Sequence, residues 1–264
     1  MAEKSKTVTN ALRVLSCFPL ADGPLSVSEI ARQLSLPRQN VLRVLASLQE
    51  FGFVSRLSEQ EGFTIGVRMF EMGILYLRSN PLARLFSDAL EILTESTQCA
   101  SYAGILDGSD VLFLNTRDGT QPVQFIWKAG DRLPATTTAL GKAILMLMSK
   151  DEIDAQLGRP RSLARLTPKS IVTRKQLHAD LAVAKRRGWA LAREESHAGL
   201  TGVGAPIVDE NGRPVAALSV SYFDYPPDPK RMEKFVAIIR RTCAETSKRL
   251  QDGHVLGAHL TAKR

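Results

Sequence analysis

Arg38, Gln39, Asn40 and Arg43 fall within one short stretch, and each carries a side chain able to make paired hydrogen bonds to a base edge. Arginine matches the two acceptors of guanine. Asparagine and glutamine match the donor and acceptor of adenine. A merely solvated helix face ordinarily carries Glu and Lys, and here no acid appears until Glu50. At 100° per residue Gln39 and Arg43 share one side, flanked by Asn40 and Ser47. Val41, Val44, Leu45 and Leu48 recur at i, i+3, i+4 and i+7 on the other. The pattern predicts nucleic-acid readout from the polar face of one amphipathic helix. The bland alternative is a three-helix bundle with a polar face in solvent.

The elements around that helix must hold it against a groove. Val8, Leu12 and Leu15 recur at helical spacing, and the Ala21–Pro24 stretch breaks the chain. Ser26 and Glu29 form a capping box that opens a short second helix. Leu36-Pro37 ends that helix, because a residue before proline avoids the helical region. The third helix starts near Pro37, a residue suited to a first helical position. Beyond Gly52, two alternating segments, Phe53–Arg56 and Phe63–Ile65, flank a polar turn over Ser58–Gly62, which predicts a hairpin. Helix, short helix, tight turn, helix and hairpin is the order of a winged helix-turn-helix. In that motif the last helix sets its N-terminal residues on base edges in the major groove. Arg38, Gln39, Asn40 and Arg43 are then the base readers. Arg56 on the wing and Lys4 and Lys6 on the N-terminal arm would meet phosphates. Ser26, at the head of the second helix, completes the candidate DNA-contacting set.

Charge alone does not make this case. The net charge is +8, compatible with a polyanionic partner. Yet residues 1–80 hold nine Lys+Arg against seven Asp+Glu, so most of the excess lies beyond them. Cys17, Cys99 and Cys243 are too scattered for a disulfide framework and read as small buried hydrophobes. Neither they nor His178, His197, His254 and His259 make a metal-ligand spacing. No cofactor motif occurs. No apolar run approaches membrane-spanning length, and the N-terminus lacks a signal-peptide apolar region, so no membrane partner and a cytoplasmic location are expected.

The rest of the chain has a different rhythm. Val67–Ser79 reads as a linker helix, and Asn80-Pro81 opens another that continues through Leu93. Strands over Cys99–Leu106, Val111–Thr116 and Pro122–Trp127 precede a helix, which argues for a mostly antiparallel sheet. Ala135–Lys142 leads into an apolar helix over Ala143–Met148 that Thr138 should cap. Such a start suits an anion, although capping alone explains most threonines of this kind. Ser149 with Glu152, and Thr173 with Gln176, are further capping boxes. Residues 200–208 and 214–223 form a hairpin around Asp209–Gly212. Alternation places Val215, Ala217, Ser219 and Ser221 on one face of its second strand. Two hydroxyls on an otherwise apolar strand need a partner, whether backbone, water or ligand. Asp228-Pro229 starts the last helix, whose buried stripe runs from Met232 to Leu250. The tail from Gln251 onward should be loose.

Taken together, LSVSEIARQLSLPRQNVLRVLASLQEFGFV (25–54), FTIGVRMFEMG (63–73), TALGKAIL (138–145), LTPKSI (166–171) and RRGWALAREESHAGLTGVGAPIVDENGRPVAALSVS (186–221) make the sequence resemble the isocitrate lyase regulator (IclR) family. The resemblance spans nearly the whole chain, and its specificity lies in the joint occurrence of the stretches. It implies an α+β protein: a winged helix-turn-helix over 1–66, a linker helix over 67–80, and a GAF/PAS-like α/β effector-binding domain over 81–264. It also implies double-stranded operator DNA as partner, a homodimer or dimer of dimers, and control of a catabolic operon, as repressor or activator, by a small organic acid.

The resemblance further implies an effector site built from Ser219, Ser221 and the backbone amides near Ala139 and Leu140, between the Thr138–Gly141 helix start and the hairpin, with Ala192, Gly202 and Val203 alongside. The chain departs from relatives that bind small oxoacids. It has Ala192 where they carry an acid, Gly202 where they carry a cysteine, and Thr136 where a histidine is common. Smaller residues suggest a roomier, less polar pocket, to which Phe125 and Trp127 would add aromatic surface. The expected effector is a carboxylate with a sizeable apolar body, such as an aromatic acid. Two other classes compete. An enzyme would use Cys99 or Ser219 as nucleophile, with His197 beside Glu195 as base, but no G-x-S-x-G elbow, phosphate loop or zinc motif is present. A scaffold whose helix-turn-helix only dimerises is disfavoured by the polar Arg38–Arg43 face.

Overall fold

The computed structural model describes residues 5–18, 23–58, 62–79, 81–121, 127–158, 162–224 and 226–252. The chain divides into two compact units, Met1–Ser79 and Asn80–Arg264.

In the first unit, α1 (Lys6–Leu15), α2 (Val27–Leu34) and α3 (Arg38–Glu50) precede an antiparallel hairpin of β1 (Val54–Ser58) and β2 (Gly62–Ile65), and α4 (Val67–Ser79) follows. Val14, Ile30, Val41, Val44, Leu45, Val54 and Phe63 form its core. The capping box at Ser26 is present with both of its bonds. α2 ends at Ser35, held in the left-handed region at φ 53°, which turns the chain sharply into α3. Pro37 is the N-cap of α3 and not its first residue. Its backbone is extended there (ψ 137°), and its missing N–H costs nothing at a position that needs no intrahelical donor. Leu25 bridges to Phe63, adding a third short stretch to the wing. The turn joining β1 to β2 lies outside the described residues, as do Lys4, Phe125, His254 and His259.

Among the described residues of the second unit, six strands form one sheet in the order β5-β4-β3-β8-β7-β6. The strands are β3 (Ala100–Asp107), β4 (Asp110–Arg117), β5 (Arg132–Pro134), β6 (Ala190–Arg193), β7 (Leu200–Val208) and β8 (Pro214–Phe223). Every pairing is antiparallel. Strand alternation sorts the side chains. Ala103, Val203, Ala205, Leu218 and Val220 pack on one side with α5 (Pro81–Thr97) and α9 (Pro229–Asp252). Tyr102, Ala217 and Phe113 pack on the other with α6 (Ala139–Leu145), α7 (Lys150–Leu157) and α8 (Arg174–Arg187).

The sequence reading and the structure differ at several elements here. α6 starts four residues before the expected Ala143, immediately after a 3-10 turn over Ala135–Thr137. Its first turn sits flat on the sheet, and buried packing overrides the weak local signal of Ala139–Gly141. β5 and β6 had no counterpart in the sequence reading. The expected strand over Pro122–Trp127 lies outside the described residues except for Trp127, which is not in a strand. Among the described residues no helix is long and apolar enough to cross a membrane, and no group of His, Cys, Asp and Glu could hold a metal ion.

Candidate nucleic-acid interface and effector cavity

The base-reading candidates share the solvent side of α3. Arg38, Gln39, Asn40 and Arg43 are all exposed, while Val41, Val44 and Leu45 are buried beneath them. None of the four side chains is engaged by another described residue. The face is therefore held by its apolar underside and left free at its polar tips, as a groove reader requires. Arg56 projects from β1 with its guanidinium 5.7 Å from the centre of the Phe63 ring, which ties the wing cation to the core. Lys6 is exposed at the start of α1. Ser26 is different: its hydroxyl donates to Glu29 Oε2 at 2.7 Å and accepts from the Glu29 N–H at 3.2 Å. That hydroxyl is committed to opening α2, so what Ser26 supplies is the orientation of the helix-turn-helix.

In the second unit the sheet register brings the other candidates together. Gly202 pairs with Ala192 on one side and Ser221 on the other, and Gly204 pairs with Ser219. Tyr102 on β3 lies opposite Ser219. The glycines are needed for contact, not flexibility. A Cβ at Gly204 would stand 2.9 Å from the Ala139 carbonyl oxygen, and one at Gly141 would stand 2.2 Å from that of Ala135. The bare Gly141 lets the 3-10 turn at Ala135 fold back against α6, and the bare Gly204 lets the first turn of α6 lie directly on β7. Thr138 caps that turn, its hydroxyl accepting from the Gly141 N–H at 3.0 Å. The N–H groups of Ala139 and Leu140 then precede any carbonyl that could take them within the helix.

Between α6 and the sheet lies a cavity lined by Thr138, Ala139, Leu140, Ala192, Gly202, Ser219 and Ser221. Gly141 and Val203, the remaining effector candidates, do not line it. Gly141 is turned onto Ala135, and Val203 faces the α5–α9 core. Successive strand residues point to opposite faces, so Gly202 and Val203 could not both face the cavity.

The rest of the lining was not anticipated except for Trp127. Tyr102 and Phe113 meet edge-on at 5.6 Å, and Phe113 stands 6.1 Å from Trp127. Leu133, Ser196 and Leu200 complete the wall. Burial pushes the Tyr102 phenol well above its usual range, so it stays neutral. Among the described residues no Lys, Arg or His lines the space. Its volume is about 20 Å³, room for a single water.

Of the groups an enzyme would use, Ser219 lines the cavity, while Cys99 and Glu195 are disfavoured by their surroundings. Cys99 is fully buried and burial raises its thiol pKa, which opposes the thiolate a nucleophile requires. Glu195 is bonded to Lys142, and His197 lies 5.0 Å from the Trp127 ring.

Residues 7–58 match the family profile described as IclR helix-turn-helix domain, and residues 74–248 match Bacterial transcriptional regulator IclR C-terminal. The chain belongs to the IclR family. It is thus a DNA-binding transcriptional regulator, with the helix-turn-helix in the first unit and the α/β domain in the second. Among relatives of this IclR-family regulator, the acetate operon repressor of Salmonella typhimurium is 29% identical over 218 residues, covering 82% of this chain and 79% of that one. The Pca regulon regulatory protein of Pseudomonas putida is 27% identical over 217 residues, covering 81% and 73%. Among solved structures, an IclR homolog from Microbacterium hydrocarbonoxydans complexed with 4-hydroxybenzoate is 25% identical. It superposes with a TM-score of 0.76, covering 93% of this chain and 99% of that one.

Proposed function

We propose that this IclR-family regulator is a homodimer, not an enzyme, that reads an operator through two copies of α3 and is controlled by an aromatic carboxylate bound between α6 and β8. The observation that carries the effector reading is the pairing, across one cavity, of the Ser219 and Ser221 hydroxyls with the aromatic wall of Tyr102, Phe113 and Trp127. Hydroxyls and the first-turn amides of α6 suit a carboxylate, and the ring faces suit an aromatic body. The solved relative complexed with 4-hydroxybenzoate supports that class. At about 20 Å³ the cavity is too small for a benzene ring, so such a ligand binds only a form whose walls have parted. That is the differential affinity a ligand-driven switch needs.

The dimer reading rests on α4. Val67, Phe70, Met72, Leu75 and Leu77 are all exposed along it, and an apolar helix in solvent is the ordinary mark of a partner surface. A second copy places two recognition helices on half-sites about 34 Å apart. The family's task, reading chromosomal DNA, sets its work in the cytoplasm. Calorimetry of the full-length protein with 4-hydroxybenzoate and with glyoxylate tests the effector class. Micromolar binding of the first and none of the second is expected, and the reverse order overturns the reading.

A further inference from the structure

Lys142 is fully buried, and its amine has two carboxylates beside it. Its Nζ lies 2.6 Å from Glu195 Oε1, 3.0 Å from Asp180 Oδ2 and 3.1 Å from the Leu191 carbonyl oxygen. Each of these partners is one step from the effector cavity or braces it. Lys142 follows Thr138, Ala139 and Leu140 on α6. Leu191 precedes Ala192, Glu195 precedes Ser196, and Asp180 lies on α8 behind them. We propose that Lys142 is a positioning residue of the effector cavity: its single ammonium fixes how far the Ser196 wall stands from the first turn of α6, and so sets the size of ligand the regulator admits. The inference rests on reading that cavity as the effector site.

The cluster is poorly explained as a source of stability. Two carboxylates face one ammonium, and Glu195 Oε2 is buried without a hydrogen-bond partner. Burial raises the Glu195 carboxyl pKa in spite of the neighbouring Lys142. A buried ion pair of this kind is often matched or bettered in stability by apolar residues of the same volume. What apolar residues cannot supply is direction. Two hydrogen bonds and one ion pair from a single atom tie α6 to the β6 loop and to α8.

The backbone of the same loop is itself held in a costly form. Glu194 has φ 56°, a left-handed conformation uncommon for a residue other than glycine. Thr167 Oγ1 donates to the Glu194 carbonyl at 2.6 Å, and Ser170 Oγ donates to that of Glu195 at 2.7 Å. Those bonds anchor the loop outward, and Lys142 anchors it inward to α6. A wall held from both sides can part only as far as both anchors allow, and a set limit to its opening is what size selection requires.

Hydrogen exchange on the full-length protein without ligand tests the tether directly. In Lys142→Met, exchange over residues 194–199 should rise at least tenfold while α9 is unchanged. Glu195→Gln keeps an acceptor for Nζ and should stay within threefold of wild type, whereas Glu195→Leu should behave like Lys142→Met. The double variant K142M/E195L should recover thermal stability but not slow exchange or affinity for 4-hydroxybenzoate, which should stay at least tenfold weaker. Wild-type exchange in Lys142→Met, or wild-type exchange and affinity in the double variant, overturns the proposal. Should Lys142→Met fail to fold, equal exchange in Glu195→Gln and Glu195→Leu overturns it instead. Absence of 4-hydroxybenzoate binding to wild type would sink the effector reading alone, since the exchange comparison needs no ligand.

Discussion

Gly202 and Ser221 are paired across the β7–β8 ladder, and a Cβ at 202 would stand 3.2 Å from the Ala139 Cβ and 3.6 Å from the Ser221 hydroxyl. The bare backbone at 202 therefore keeps the cavity open between α6 and β8. Gly202→Val would push a branched side chain into a space of about 20 Å³. Overpacking of this kind costs about 1–3 kcal/mol, so the variant should fold with a lowered melting temperature. Its affinity for 4-hydroxybenzoate should fall at least tenfold by calorimetry. Its operator affinity by gel shift should be unchanged, because Gly202 belongs to the second unit.

The same pair shows what the sequence could and could not reveal. The β7–β8 hairpin, the bounds of α4 and the capping boxes at Ser26 and Ser149 were legible, because period and cap chemistry are local. β5 and β6 were not, since strands of three and four residues hold too few positions to display alternation. Tyr102 and Phe113 stood on strands that were read, but which face α6 would cover is a tertiary matter. Val203 was misplaced although parity from Gly202 already put it on the opposite face. Ser196 carried no signal at all: it reaches the cavity wall through the course of its loop, whose neighbours Glu194 and Glu195 are bonded by Thr167 and Lys142, distant in sequence.

At the first unit, Arg43→Ala should cost about 1–3 kcal/mol of operator binding and relax preference at one base pair, as expected of a base-reading arginine. Arg56→Ala should weaken all sequences alike and flatten the salt dependence by about one phosphate contact. Gel shifts across a salt series, on operator and scrambled DNA, separate the two. Equal loss on both DNAs for Arg43→Ala would remove α3 from the base-reading role.

Phe70 and Leu75 are 68% and 60% exposed on α4. If a second copy covers them, Phe70→Glu with Leu75→Glu should convert the dimer to monomer in sedimentation, because a buried unpaired carboxylate costs several kcal/mol. Operator affinity should fall steeply as the two half-sites lose their linkage. A dimer of unchanged strength would mean that the copies meet elsewhere.

Glu195 gives the sign of a pH effect. Burial raises its pKa in the folded state above the ordinary 4.5, so the folded protein holds this proton more tightly than the unfolded chain. Its contribution therefore favours folding at low pH and is lost as pH rises from the ordinary value through the raised one. Glu195→Gln removes the ionisation while keeping the shape. The variant and wild type should melt alike at the acid end, and the variant should become the more stable of the two as pH rises. Melting temperatures from pH 4 to pH 8 check this; a variant that instead loses ground on wild type with rising pH would show that Lys142 repays the burial in full.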